Sequence, residues 1–301
     1  TDNSVAAAAL NSLDSTTSVA INATAITSIT GSISDIANVY TSSGFNGLGN
    51  ESLIFSFSNI SAADLNAIDQ ANSRVIDGSG IAALTGSAAE LNAVYSSSGI
   101  SGLGNEAITL TDTALVGAVL NTLDGNTSGV INASSLNTLS GSAADLNTAY
   151  ASTGITGHGN EAITLSDSSL DATALNTLDG RTSGTINAAS INTLSGSATD
   201  LNTTYTSSGI SNLGNEALTL TDTSLSASLL NSLDGRTSGT INGSNITSLS
   251  GTAADLASAY ASSGISGLGN EALTLSDSSL AASSLNALDG RTSGAINAAS
   301  I

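Results

Sequence analysis

Apolar residues recur at helical intervals in two kinds of stretch along the chain. In the first kind, "SATDLNTTYTSSG", Leu201 and Tyr205 follow Ala198 at spacings of three and four residues. Ser197 precedes them, and the acidic residue three positions after this serine gives the spacing of a capping box. We therefore predict a short helix that begins after Ser197 and is terminated by Gly209.

The second kind of stretch has the same period in a shorter segment. In "DATALNTLDG", Ala174, Leu175 and Leu178 lie on one helical face, and Gly180 follows as a stop signal. This pattern predicts a second short helix.

The segments between the helices alternate apolar and polar residues. In "EAITLSD" the apolar residues are Ile163 and Leu165, and in "GTINAASINTL" they are Ile186 and Ala188, followed by Ile191. A period of two in segments rich in Ile and Thr is typical of short strands. The order of elements is therefore strand, turn, short helix, turn.

This order repeats with one fixed period, without an insertion or a deletion, and the period is 106 − 51 = 55. Equivalent positions keep one residue type in several columns, which comprise Glu51, Glu106, Glu161, Glu216 and Glu271, then Tyr40, Tyr95, Tyr150, Tyr205 and Tyr260, and then Asp14, Asp69, Asp124, Asp179, Asp234 and Asp289. Disordered sequence has no reason to keep such a register, because nothing packs against it. The chain therefore folds as a repeat protein.

Each repeat is itself a duplication. "SAADLNAID" begins at Ser61, and the related "SAADLNTAY" begins at Ser142, whose equivalent one repeat earlier is Ser87. The 55-residue period therefore consists of two half-repeats, since 87 − 61 = 26 and 55 − 26 = 29. Repeating units of this length and content stack on their neighbours as a solenoid. Equivalent positions of successive repeats are then expected to form columns two coils apart.

We assign the chain to the α/β class, as a repeat solenoid of short parallel strands and short helices. An all-β solenoid is the alternative, and the capping boxes argue against it. We expect one continuous array, made of a partial repeat 1–50, four repeats 51–105, 106–160, 161–215 and 216–270, and a partial repeat 271–301. Because both chain ends fall inside a repeat, we expect a segment of a longer array.

The composition limits the classes of binding partner that we expect. The chain has 24 acidic residues, four arginines, no lysine and a net charge of -20. A surface this acidic repels phosphates and anionic lipids, so we expect no nucleic acid partner. The longest aliphatic run, "VAAAAL", is far shorter than the roughly 20 residues of a membrane span, so we expect no membrane span either.

The text of the repeat, "GTINAASINTLSGSATDLNTTY" followed shortly by "GISNLGNEALTLTDTSL", resembles the tandem arrays of very large secreted surface proteins of marine cyanobacteria and related bacteria. This resemblance covers the whole chain and implies a cell-surface layer, an adhesin or a part linked to surface motility. The Leu/Ile skeleton with Asn after Leu, as in Leu175-Asn176, also resembles leucine-rich-repeat solenoids in architecture, although the strand lacks the leucine spacing of that motif.

Two acidic columns flank a predicted strand and supply the only candidate metal ligands. Hard cations need several oxygen ligands, so calcium bound between coils is the candidate cofactor. The alternative is that these acidic side chains are solvated charges at the edge of the sheet, which keep the array soluble. The candidate calcium ligands are Glu106, Asp112, Glu161, Asp167, Glu216, Asp222, Glu271 and Asp277, and Phe57 interrupts the aspartate column.

The remaining columns are interpreted as structural. His158, the single histidine, occupies a position that is leucine in the other repeats, so drift explains it better than catalysis. The Asp179 column precedes a glycine at a helix end, where a negative charge needs a partner. The tyrosines are expected to form a buried stack along the helical layer. We identify no catalytic residue and expect no enzyme.

These observations favour a structural, non-catalytic segment of a large extracellular surface or filament protein that acts as a stiff acidic solenoid. The alternatives are an adhesive surface that binds carbohydrate or ice, and a virus tail-fibre segment. The expected partners are further copies of the repeat along a longer chain, with lateral self-association or cell-surface glycans as candidates. The expected location is extracellular or at the cell surface.

Overall fold

The structure, a computed structural model, describes residues 2–56 and 59–301 of the chain. In these residues short helices alternate with short strands throughout. The helices are α1 (Ala7–Thr16), α2 (Ile33–Thr41), α3 (Ala62–Ala71), α4 (Ala88–Ser96), α5 (Gly117–Asn126), α6 (Ala143–Ala151), α7 (Ala172–Asp179), α8 (Ala198–Thr206), α9 (Ala227–Asp234), α10 (Ala253–Ala261) and α11 (Ala282–Asp289).

The strands are two to four residues long. They are β1 (Ser4–Ala6), β2 (Ile21–Asn22), β3 (Ser28–Gly31), β4 (Phe45–Asn46), β5 (Ser52–Phe55), β6 (Asn59–Ser61), β7 (Ile76–Asp77), β8 (Ala83–Gly86), β9 (Ile100–Ser101), β10 (Ala107–Leu110), β11 (Ala114–Val116), β12 (Ile131–Asn132), β13 (Thr138–Gly141), β14 (Ile155–Thr156), β15 (Ala162–Leu165), β16 (Ser169–Asp171), β17 (Ile186–Asn187), β18 (Thr193–Gly196), β19 (Ile210–Ser211), β20 (Ala217–Leu220), β21 (Ser224–Ser226), β22 (Ile241–Asn242), β23 (Ser248–Gly251), β24 (Ile265–Ser266), β25 (Ala272–Leu275) and β26 (Ile296–Asn297). The α/β class predicted from the sequence is confirmed.

Helix α8 shows how the sequence defines a helix start. The Ser197 hydroxyl oxygen accepts the backbone N–H of Asp200 at 3.1 Å and donates its own proton to the Asp200 carboxylate at 2.6 Å. The serine cap is thus present. The reciprocal bond of a full capping box is formed at α4, where the Ser87 N–H donates to the Glu90 carboxylate at 2.8 Å. The helix end differs from the prediction, because α8 stops at Thr206 with Ser207 as its C-cap, before Gly209.

The strand predictions hold for "EAITLSD", which forms β15, but "GTINAASINTL" divides into two strands. The break is a turn in which Ile191 N–H donates to Ala188 O at 3.0 Å. The Asn187 side chain accepts the N–H of Ala189 at 3.1 Å. This local bond offers the backbone an alternative to the strand ladder, which is why the strand ends at Asn187.

All strand pairs are parallel within the described residues, and each step between paired strands is one turn of the chain. Thr193 pairs with Ala217, so this step is 217 − 193 = 24, and Leu218 pairs with Ile241, so the next is 241 − 218 = 23. The helices follow a different spacing. Helices α7, α8 and α9 begin at positions 172, 198 and 227, and 198 − 172 = 26 while 227 − 198 = 29. The two half-repeats are therefore confirmed as helix-to-helix spacings, although a coil is defined by the shorter strand step.

A repeat is consequently longer than two strand steps, since 55 − 24 − 24 = 7, although it equals two helix steps, since 26 + 29 = 55. Ile163 pairs with Ile186, which pairs with Ile210, whereas the repeat equivalent of Ile163 is Leu218. In the strand ladders, equivalent residues of successive repeats therefore do not stack on each other, and the expected columns two coils apart are not formed there. In the helix layer consecutive helices pack on each other, so equivalent helices such as α7 and α9 are two helices apart, as those columns require.

The residues cluster in two compact units. The first runs up to Asn137 and also contains Thr148–His158, and it holds the five-stranded sheet β14-β12-β10-β8-β6. The second consists of Thr138–Asn147 and Gly159–Ile301 and holds the five-stranded sheet β16-β18-β20-β22-β24.

Each unit has its own core of aliphatic side chains. In the second unit, Leu194, Leu218 and Ile241 are successive partners in one ladder and are at most 1% exposed. Leu175 and Leu178 on α7 are fully buried. Burial of one such side chain contributes about 1.5–3 kcal/mol.

No helix among residues 2–56 and 59–301 has both the length and the apolar character needed to cross a bilayer.

Candidate functional site

The glutamate column lies in the interior of the protein. Glu51 is 3% exposed, and the other four glutamates are 0–1% exposed. A buried carboxylate without hydrogen bonds is strongly destabilising, so each must be compensated. The interpretation as solvated edge charge is therefore wrong for this column.

The compensation comes from a tyrosine and from backbone N–H groups. The Tyr205 hydroxyl donates to Glu216 at 2.8 Å, and Gly214 N–H donates to both carboxylate oxygens at 3.1 and 2.9 Å. The same tyrosine bond joins Tyr40 to Glu51 at 2.6 Å, Tyr95 to Glu106 at 2.9 Å and Tyr260 to Glu271 at 2.7 Å. These Tyr–Glu pairs take the place of the predicted tyrosine stack.

The tyrosine of each pair is held in its protonated form. Burial raises the pKa of Tyr205 and of Tyr260 above the ordinary value of 10.0, and the hydrogen bond to the glutamate raises it further. The phenol is therefore a permanent donor to the carboxylate at neutral pH.

The glutamates also connect successive coils through their backbone. The Thr237 hydroxyl donates to Glu216 O at 2.7 Å, across 21 residues of sequence. Gly239 lies against the same carbonyl so closely that a side chain there would collide with it. The Tyr–Glu pair is thus part of the contact between successive coils.

The aspartates of the second candidate column lie at helix N-termini. The Asp222 carboxylate accepts the N–H of Ala198, the first residue of α8, at 2.7 Å. Asp112, Asp167 and Asp277 accept the corresponding bonds from Ala88, Ala143 and Ala253 at 2.7–2.8 Å. A negative charge at this end of a helix is favourable. Phe57 lies outside the described residues.

All eight candidate calcium ligands therefore have partners within the protein or lie in its interior. Within the part of the chain that the structure describes, no three His, Asp or Glu side chains are grouped so that they could hold a metal ion. Calcium binding stays a prediction from the sequence.

The aspartate near the end of a second-type helix has a partner that the sequence did not reveal. The Ser207 hydroxyl donates to Asp179 at 2.7 Å, and the same bond joins Ser42 to Asp14, Ser97 to Asp69, Ser152 to Asp124 and Ser262 to Asp234 at 2.6–2.8 Å. Gly209 lies against the Asp179 carboxylate, where a Cβ atom would collide with it. The sequence signal that could have identified these residues was their fixed position in the 55-residue repeat.

His158 has a packing role. Its ring stacks on Tyr150, with centroids 5.1 Å apart and planes at 6°. Its buried Nε2 has no hydrogen-bond partner in the described residues, and no cluster of metal-ligating side chains there includes it.

Comparison of the chain with protein-family models, with curated proteins and with solved structures gives no match.

Proposed function

We propose that the chain is a structural, non-catalytic segment of a large extracellular surface or filament protein, in which it acts as a stiff acidic solenoid. The observation that supports this proposal is that the carboxylates are bound by hydrogen-bond donors of the protein itself. The glutamates bind tyrosine and backbone donors, one aspartate column binds helix N-termini, and the other binds serines that follow the next helix.

The aspartate contacts recur along the chain and join coils that are adjacent in sequence, as does the bond from Thr237 to the Glu216 carbonyl. A solenoid of this kind gains stability from each interface between neighbours, so its length can grow without a new core. The resemblance to secreted surface arrays and the acidic composition support a place outside the cell or at its surface. Further copies of the repeat along a longer chain are the proposed partners.

The proposal predicts how the chain responds to shortening. Removal of 161–215 deletes one whole repeat, so that residue 216 follows residue 160 as residue 161 did. We expect this variant to melt as cooperatively as the full chain, as measured by circular dichroism.

The matched control removes 193–216, which is one coil as defined by the ladder step from Thr193 to Ala217. Ala217 then takes the place of Thr193, but α8 is lost. Asn176 on α7 loses the Asp200 carbonyl, and Asp179 loses Ser207. We expect a lower melting temperature and dye binding to exposed apolar surface. Equal melting of the two variants, or a random-coil scattering profile of the full chain, would contradict the proposal.

A further inference from the structure

Arg236 is a cation without a side-chain partner among the described residues of a strongly acidic chain. Arg181 and Arg291 hold the same position in the neighbouring repeats, just after α7 and α11. Each donates Nη1 to a carbonyl of the helix one step earlier, Arg181 to Asn147 O of α6 at 3.2 Å and Arg291 to Tyr260 O of α10 at 3.1 Å. The Arg236 side chain makes no hydrogen bond or ion pair to any residue that the structure describes, and its Nε is buried without an acceptor.

The Arg236 side chain lines a groove of about 310 Å³ in the second compact unit. The other lining residues are Thr204, Tyr205, Ile210, Asn212 and Leu213. This volume is near the lower end of small-molecule sites. The groove therefore has room for a small ligand beside the guanidinium.

Asn212 makes this groove differ from the equivalent places in neighbouring repeats. It has a φ of 64°, the left-handed region, where the other repeats carry a glycine such as Gly157 or Gly267. Its Nδ2 donates to Asn187 Oδ1 at 2.8 Å, which fixes the amide and leaves its second hydrogen for another acceptor. An amide donor in a strained backbone position thus lines the same groove as a free guanidinium.

Acidic side chains close to Arg236 in sequence already have other donors. Glu216 is bound by Tyr205 and Gly214, and Asp234 is bound by Ser262. Neither carboxylate makes an ion pair with Arg236. A ligand carboxylate in the groove supplies the acceptor that this guanidinium lacks within the described residues.

We propose that Arg236 and Asn212 bind a small carboxylate in this groove. A planar carboxylate matches the two parallel N–H bonds that a guanidinium fork offers, and such charge-assisted pairs are stronger than neutral ones. The Asn212 amide donates to the same ligand. This binding function goes beyond the structural role proposed above, and it applies equally to a free carboxylate and to an acidic sugar.

The test uses the four arginines of the full chain, whose side-chain Nε–Hε signals can be resolved and assigned in the ¹⁵N-labelled protein. The probes are sodium acetate and sodium glucuronate, with sodium chloride of equal ionic strength and neutral glucose as controls. We expect a saturable shift of the Arg236 signal with half-saturation of about 1–10 mM. The signals of Arg181 and Arg291 should stay in place.

Three variants separate binding from folding. N212G restores the glycine of the neighbouring repeats and suits a positive φ, so the fold should be kept while affinity falls about 3-fold or more through loss of one hydrogen bond. R236Q removes the observed Nε–Hε group, so binding to it is followed on the Asn212 side-chain NH₂ signal, whose shift should be lost, whereas R291Q should leave the Arg236 titration unchanged.

Shifts with both acids support recognition of the carboxylate itself, and a shift with glucuronate alone supports an acidic sugar as its source. The proposal is overturned if neither acid shifts the Arg236 signal more than chloride does. It is also overturned if glucose acts like glucuronate, or if N212G binds as tightly as the unchanged chain.

Discussion

Replacement of the buried glutamate in one Tyr–Glu pair distinguishes between two interpretations of the acidic residues. Either they stabilise the fold through buried hydrogen bonds, or they are only solvated surface charges. Glu216→Gln removes one negative charge and keeps the shape of the side chain. If the acids were only a repulsive coat, loss of one charge from a chain of net charge -20 would leave stability unchanged or raise it. The buried hydrogen bonds predict the opposite result, a loss of stability.

The magnitude follows from the donors that surround the carboxylate. Glu216 is fully buried, and it accepts from Tyr205 at 2.8 Å and from Gly214 through both oxygens. A glutamine turns one of these acceptors into an NH₂ group that faces a donor. Hydrogen bonds to charged groups contribute about 1.5–3 kcal/mol each, and a buried group left unsatisfied costs about 1–3 kcal/mol. We therefore expect a loss of about 2–4 kcal/mol.

The assay is urea unfolding followed by circular dichroism, with Asp289→Asn as the control. Asp289 is exposed, and its replacement makes the same change in charge. We expect the control to stay within about 0.5 kcal/mol of the unchanged chain. Tyr205→Phe and the double variant complete a cycle whose coupling energy should be about 1–3 kcal/mol. A Glu216→Gln variant as stable as the control would refute the reasoning.

Two further outcomes and one test concern the same contacts. Gly209→Ala should destabilise by about 1–3 kcal/mol, because its Cβ collides with Asp179, whereas Gly125→Ala in α5 has nothing within 4 Å and should stabilise the chain in thermal melts. Stability should fall as pH rises above the ordinary tyrosine pKa of 10.0, because the unfolded chain releases phenol protons that the raised pKa of Tyr205 and Tyr260 retains in the fold, which unfolding at stepped alkaline pH would show. Melting temperatures in calcium chloride and in sodium chloride of equal ionic strength test the calcium sites predicted from the sequence. A clear rise in calcium alone would support them, whereas equal melting would mean that the donors already bound to these carboxylates satisfy them.

The helices and strands could be predicted because their signals are local. Ser197 and Asp200 are three residues apart, and the alternation in "EAITLSD" is visible within a single short segment. The burial of Glu216 could not be predicted in the same way. Its donors are a tyrosine eleven residues earlier and a glycine in a turn, and only the folded backbone brings them to one carboxylate. The strict spacing between the tyrosine and glutamate columns was the available signal.

The number of residues between paired strands could not be predicted either, because the sequence shows only the 55-residue period. A helix advances about 1.5 Å per residue and a strand about 3.3 Å. The length of one turn therefore depends on how many residues are in each element and on the turns between them. Ile163 and Ile210 lie two strands apart in one ladder, because the first step is 186 − 163 = 23 and the second is 210 − 186 = 24.

This mismatch between repeat and coil has an electrostatic consequence within each compact unit. If the repeat were two coils long, equivalent carboxylates would lie about 10 Å apart, near one Debye length at about 0.1 M salt, and like charges would stack along the array. The glutamates follow the strand offset, because Glu161 and Glu216 directly precede β15 and β20, which belong to different ladders. The aspartates do not follow it, because Asp222 and Asp277 bind the N-termini of α8 and α10, which both pack on α9. The acidic composition is compatible with stacked coils because the buried glutamates and these aspartates carry their own donors within the protein.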